Sequence, residues 1–284
     1  MQKYICLIAL LFAGSSYGQA LWEIENTSNQ IRLLGSIHFL RAEDYPLPPT
    51  IEVAYNDAEI IVMEIDLTRI RPDDITKAQQ ELAIDPRGRN LKDLLGAAVY
   101  QKAKAQALQM NIDLDMLLPF EPWFAALQIT QIRLMQLGFD GSYGIESQIT
   151  NAATSDSKPI MGLETLREQL SIMDSLPAAA QKKFLLQTLD DIIDIDDELD
   201  DIVIAWKTGN IKVLDKLLLE GLADQPEVYQ KILVERNQRW TTAIKKMTND
   251  SKDYLIVVGA LHLIGEDSVQ EILKSAGVKS RQIR

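Results

Sequence analysis

At 284 residues the chain can bury one sizeable core, or a core with a subdomain, and its 46% hydrophobic content is ordinary for a globular protein. Twenty-nine Lys and Arg against 41 Asp and Glu give a formal charge of -12, which makes nucleic acid and anionic membrane surfaces poor partners and a cation a better one.

Residues 1–20 read as a signal peptide. Lys3 is a minimal positive region, residues 4–13 are the apolar run, and Gly14, Ser15, Ser16 and Gly18 precede a cut after Gly18 or Ala20. The run is too short to span a bilayer, and no later segment has about 18 consecutive apolar residues, so no stable membrane span is expected in the mature form. The single cysteine, Cys6, lies ahead of either cut, which leaves the mature protein without thiol or disulfide chemistry. Export without disulfides points to a bacterial periplasm or to secretion.

Beyond the cut, Leu21-Trp22-Glu23-Ile24 alternates as a strand does, and the polar residues 26–29 turn it into a second strand at 30–38. That second run ends in Gly35-Ser36-Ile37-His38. Near the other end of the chain, residues 254–262 repeat the design and close in Gly259-Ala260-Leu261-His262. The protein has only two histidines, and each stands three residues after a glycine. Both apolar runs suit strands buried on two faces, so both histidines are expected at strand carboxyl ends, where open α/β sheets form their crevice.

A helix is expected at 50–58, behind the extended lead-in Tyr45-Pro46-Leu47-Pro48-Pro49, followed by a buried strand at 59–66. Glu64 ends that apolar run, where a carboxylate is costly unless a positive or hydrogen-bonding group meets it. It is the candidate to stand beside the histidines; Asp66 is the weaker choice. Residues 72–137 take helical spacing, broken by turns at 85–88 and 118–122, with Trp123 and Phe124 in the expected core.

Residues 138–144 form a glycine-rich loop that lacks the Lys-Ser/Thr of a phosphate loop. The helix it opens begins Ile145-Glu146, and Glu146 there complements the helix dipole, with no catalytic role expected. A short strand at 158–164 ends in Glu164, repeating the theme of Glu64. Residues 165–248 are helical again. The acidic stretch 190–201 carries an apolar stripe including Leu199, Ile202 and Val203 and lacks calcium-loop spacing, so it reads as a solvated helix face. In the helix expected at 226–247, Arg236 falls within the apolar stripe, where it should pair with a buried carboxylate or an anionic ligand group. A helix at 266–276 and a strand at 278–283 close the chain.

Both Gly-x-x-His motifs, Met63-Glu64-Ile65-Asp66, Gly162-Leu163-Glu164, Glu235-Arg236-Asn237 with Trp240, and the run from Val258 to Gly265 occur in an order that resembles the TraB/PrgY/GumN family. Tyr45-Pro46-Leu47 and the helix of Trp206 share in the likeness, which covers nearly all of 21–284 and is similar to the exported, single-domain GumN-like branch. The resemblance implies one domain over 21–284 with helical insertions at about 70–137 and 165–225. It also implies a mixed α/β sheet built from two Gly-x-x-His strand units, as in erythromycin esterases and a haem-binding ChaN-like protein.

The family includes the Tiki proteins, metal-dependent proteases that trim amino-terminal peptides from Wnt ligands, and their two Gly-x-x-His motifs match His38 and His262. The activity implied is a metal-dependent hydrolase, in the first place a peptidase, with His38, His262 and Glu64 around a divalent ion. Manganese or cobalt follows from the family, and zinc fits the ligand set. Arg236 would hold a substrate carboxylate or a developing oxyanion, and Glu164 would support the ligands or act as general base. Two readings stand beside this one: metal-free hydrolysis with a histidine as base, and a binding protein that captures metal or haem without turnover.

Overall fold

The computed structural model describes residues 19–283. The expected signal peptide at 1–20 therefore lies, as far as residue 18, outside the described residues. Strand β1 (Leu21–Ile24) turns back into β2 (Ile31–Ser36) as an antiparallel hairpin with Trp22 opposite Leu33. Helix α1 (Pro49–Asp57) starts on a proline, whose missing N–H is no loss in a first turn, and leads to β3 (Ile60–Met63).

Four helices follow: α2 (Pro72–Leu82), α3 (Leu91–Leu95), α4 (Ala97–Gln109) and α5 (Pro122–Gln136). The glycine-rich loop then opens α6 (Ile145–Ser155), which returns to β4 (Ile160–Gly162). A second helical run comprises α7 (Leu166–Asp174), α8 (Ala178–Asp191), α9 (Asp196–Thr208) and α10 (Ile211–Glu220). The expected long helix is present but not uniform: α11 (Pro226–Tyr229) passes through a π-helical turn (Gln230–Val234) into α12 (Glu235–Met247). Strand β5 (Tyr254–Gly259), α13 (Val269–Ser275) and β6 (Ser280–Gln282) end the fold.

The six strands form one mixed sheet in the order β4-β3-β5-β2-β1-β6. The first four are mutually parallel, and β1 and β6 are antiparallel to their neighbours. Every residue of β5 is buried, as a β-branched run with helices on both faces requires. Each fully covered Leu or Ile there contributes roughly 1.5–3 kcal/mol over an exposed one. Registers Ser36 opposite Gly259 and Met63 opposite Val257 bring the ends of β2, β5 and β3 to one edge.

The main core lies on the sheet, but the helices have cores of their own. Leu91, Tyr100, Ala103, Ile129, Leu185 and Leu189 pack together between α3, α4, α5 and α8. Trp123 and Phe124 pack with Met173 and Val228 in another cluster. Among the described residues no helix is long and apolar enough to cross a membrane.

Candidate functional site

Four adjacent parallel strands end at one edge of the sheet, and each delivers a polar side chain just past its last residue: Glu164 from β4, Glu64 from β3, His262 from β5 and His38 from β2. The β3–β4 pairing continues past the strands, with Glu164 N donating to Glu64 O at 2.9 Å. Helix α12 lies over this edge and supplies Arg236, Asn237 and Trp240, all buried. Residues far apart in the chain thus meet because parallel strands share a carboxyl edge.

Glu64 Oε1 accepts from the Gly259 backbone N–H at 2.7 Å. Its Oε2 accepts from Arg236 Nη2 at 2.5 Å and Gln169 Nε2 at 3.1 Å. Gln169 reaches this position because Thr165 and Glu168 form a reciprocal capping box that starts α7 directly after Glu164. Burial pushes the Glu64 carboxyl pKa up, but the imidazoles of His262 and His38, the Arg236 guanidinium and the Gly259 N–H outweigh it and hold it down at about 2.

Arg236 joins the centre together. Its Nε and Nη2 donate to Glu164 Oε1 at 3.1 and 2.7 Å, its Nη1 donates to the Ile232 carbonyl of the π turn at 3.2 Å, and Arg239 Nη2 reaches Glu164 Oε2 at 3.3 Å. The guanidinium carbon lies 4.5 Å from the centroid of the Trp240 ring. A buried cation is tolerable here because two carboxylates and a π face meet it.

The two imidazoles are held in the same way. His262 Nδ1 is 2.6 Å from Asn237 Oδ1. Asn237 Nδ2 donates to the Asp267 carbonyl at 2.7 Å, which fixes the amide so that its oxygen accepts from Nδ1–H and the lone pair of His262 is on Nε2. Arg236 Nη1 occupies that lone pair at 3.0 Å, and Glu64 Oε1 is 3.8 Å from the same nitrogen. Burial, reinforced by the charges of Arg236 and His38 and opposed by Glu64, lowers the His262 pKa to about 3, so the ring is neutral at pH 7.

His38 Nδ1 is 2.9 Å from Glu146 Oε1, which also accepts from the Ser36 hydroxyl. The Glu146 charge, helped by that hydrogen bond and by Glu64 and opposed by desolvation within the cavity, raises the His38 pKa to about 9. Burial would raise the Glu146 pKa, and the His38 charge and the two hydrogen bonds more than reverse it. The expectation that Glu146 serves only the helix dipole is thereby corrected. The 138–144 loop lays its backbone against 37–40, with Asp140 N donating to Leu40 O at 2.9 Å and Ile145 N to Ile37 O at 3.1 Å. A Cβ on Gly144 would run into the His38 carbonyl, so the glycine permits the approach that carries Glu146 to the imidazole.

Gly259 forms the base of the centre. Its backbone is extended and ordinary for any residue, yet a Cβ there would lie 3.3 Å from Glu64 Oε1 and 3.7 Å from both His38 Nε2 and His262 Cδ2. The space above this glycine is where two imidazole edges and a carboxylate converge. Among the described residues no three His, Cys, Asp or Glu side chains stand close enough to hold a metal ion as placed. The donors nevertheless suit one in kind and direction: each histidine has Nδ1 tied to a partner and Nε2 left as donor, the arrangement that orients metal-binding imidazoles. Arg236 is seated on His262 Nε2 and Glu64 Oε2 within this set.

This centre is the floor of a cavity of about 540 Å³ whose walls are apolar. Trp123 and Leu127 of α5, Phe184 of α8, Leu199 and Ile202 of α9 and Leu218 of α10 face it. His38 is the open member of the floor, with 59% of its side chain accessible. A second cavity, of about 770 Å³, runs along edge strand β4 on the far side of Glu164 and does not reach the histidines.

Of the residues singled out in the sequence, His38, Glu64, Glu164, Arg236 and His262 come together. Asp66 does not: it caps the turn after β3 by accepting from Thr68 N at 3.1 Å and pairs with Arg69 at 3.0 Å. Glu146, Ser36, Gln169, Asn237 and Arg239 were not foreseen as part of the centre. Ser36 and Asn237 stood inside the sequence motifs without a role, and Glu146 follows a loop with three glycines in seven residues; Gln169 and Arg239 left no sequence signal.

Fold and site together define a mixed α/β protein whose strand ends gather two histidines, three glutamates and an arginine beneath a helical cover. A profile of the TraB/PrgY/gumN family matches residues 20–282, and the chain belongs to that family. Among curated proteins it is similar to YbaP of Escherichia coli (strain K12), described as uncharacterized, at 23% identity over 260 residues, 87% of this chain and 89% of YbaP. YbaP of Shigella flexneri, described in the same words, is 24% identical over 255 residues, 85% of this chain and 87% of the relative. No solved structure gives a significant match.

Proposed function

We propose that the chain is an exported metal-dependent hydrolase acting on peptides, with His38, Glu64 and His262 holding a divalent ion, manganese, cobalt or zinc, above Gly259. The observation that carries this reading is the convergence on the Gly259 cradle of two imidazoles tied through Nδ1 and one carboxylate oxygen. Bound there, the ion would supply Lewis acidity toward a substrate carbonyl. The protein's own groups do the rest. Glu146 and Asn237 orient the imidazoles, and Arg236, released from His262 Nε2, is placed to donate to a carbonyl oxygen as charge develops on it. Glu164 has both oxygens engaged by Arg236 and Arg239, which favours its holding the guanidinium over its acting as base. The proposal extends to kinship with the erythromycin esterase and ChaN-like folds, for which the parallel pairing of β2 with β5 is the supporting feature.

One observation favours metal-free hydrolysis with His38 as base: that ring is open to the cavity and backed by Glu146. A base must be unprotonated, however, and Glu146 keeps the His38 proton up to about pH 9, so this chemistry would run only in alkali.

The test is the metal content of the mature protein after dialysis and reloading, in wild type and in His38→Ala, Glu64→Ala and His262→Ala, followed by cleavage of a peptide library with and without chelator. About one ion in wild type, lost in all three variants, with chelator-sensitive cleavage supports the proposal. Cleavage that resists chelator and rises only toward pH 9 replaces it with the histidine base. Stoichiometric metal or haem with no cleavage replaces it with a capture protein.

A further inference from the structure

The wall of the cavity over the centre is built from helices that the proposed chemistry does not use. Leu134, Leu170, Ile172, Leu199, Ile202 and Leu218 all face it while only partly buried, although all but Ile172 pack against a core on another side. Six large aliphatic side chains from α5, α7, α9 and α10 therefore turn apolar surface toward one space rather than toward each other. Its polar groups lie on the floor: Ser36, His38, Glu64, Gln169, Arg236 and His262. At about 540 Å³ it falls within the size range of ligand cavities, roughly 300–1,000 Å³.

We infer that this cavity is a specificity pocket that takes one bulky apolar side chain, aliphatic or aromatic, of a peptide whose adjoining carbonyl rests on the floor. The inference deepens the hydrolase proposal and rests on its assignment of the floor. Two observations fix the occupant. Edge strand β4 lies on the other side of Glu164 with a second cavity along it, and an extended peptide can pair with an open strand edge while an acyl chain cannot. The formal charge of -12 disfavours collecting a lipid from an anionic membrane surface.

The experiment is calorimetric titration of the whole mature protein, in chelator so that nothing turns over, with four N-acetyl tripeptide amides differing only in a central Ala, Leu, Phe or Glu. The Leu and Phe peptides should bind at least about tenfold more tightly than the Ala peptide, and the Glu peptide more weakly than any. In Leu199→Ser and Ile202→Ser, which remove apolar wall from the pocket, the Leu-to-Ala ratio should fall several-fold. Equal binding of the four peptides, binding of none, ratios unchanged in both variants, or tighter binding of a lauroyl ester than of every peptide overturns the inference. Failure of the hydrolase proposal looks different: the discrimination survives, and no peptide is cut when metal is restored.

Discussion

His38 Nδ1 stands 2.9 Å from Glu146 Oε1, at the bottom of a cavity to which the imidazole is open and the carboxylate is not. The pair makes His38 a cation at neutral pH, and an ion entering the site must displace that proton.

Replacing Glu146 by Gln removes the largest cause of the raised pKa, so His38 should titrate well below about 9, toward the ordinary histidine value near 6.5. With only two histidines, heteronuclear NMR of the imidazoles resolves both. In metal-free wild type one ring should titrate near 9 and the other stay neutral until about pH 3. Two rings titrating together near 6.5 would contradict the His38–Glu146 contact and the burial of His262 beside Arg236.

Stability of the metal-free protein should peak near neutrality, and each limb has its own residue. His262 has a folded pKa of about 3, below its unfolded value near 6.5, so the unfolded chain binds its proton first and stability falls as pH drops from 6.5 to 3. Glu64, at about 2 against 4.5, adds to the same limb below pH 4.5. His38, raised to about 9, contributes fully below 6.5 and loses that contribution as pH rises through 9. Urea midpoints across pH 3–10 check this, and Glu146→Gln should flatten the alkaline limb and, because the Glu146 carboxyl pKa is itself lowered, remove a contribution to the acid limb as well.

Arg236→Met leaves Glu64 and Glu164 buried without their shared cation, and a loss of about 3–5 kcal/mol in urea unfolding is expected. Glu164→Gln, which leaves Glu64 in place as counter-charge, should cost less. The double variant should be more stable than the sum of the two losses predicts, since the two residues share one network.

Two glycine substitutions should separate chemistry from stability. Gly259→Ala fits the backbone, and its methyl enters the space between Glu64 and the two imidazoles; metal uptake should fall at least about tenfold with a stability loss under about 1.5 kcal/mol. Gly144→Ala collides with the His38 carbonyl and should destabilise by about 1–3 kcal/mol, returning the His38 pKa toward its ordinary value as the Glu146 contact is lost. Metal titration beside thermal or urea unfolding distinguishes the two patterns.

The sequence by itself determined the strands and where they end. The apolar runs before His38, Glu64, Glu164 and His262 are local signals, and parallel strands whose hydrophobic faces must be covered leave their carboxyl ends at one edge. For that reason the histidines, the two carboxylates and the out-of-place Arg236 could be named from residue types and positions alone. Tertiary structure decided who touches whom. Asn237 on His262, Gln169 on Glu64 and Glu146 on His38 are polar residues at helical positions where an exposed face would be equally consistent with the pattern. A helix period fixes which side of a helix is apolar, whereas the neighbour of a single polar side chain depends on the docking of that helix. The π turn before Arg236, which sequence periodicity at 3.6 residues does not register, and the apolar cavity framed by five separate helices belong to the same category.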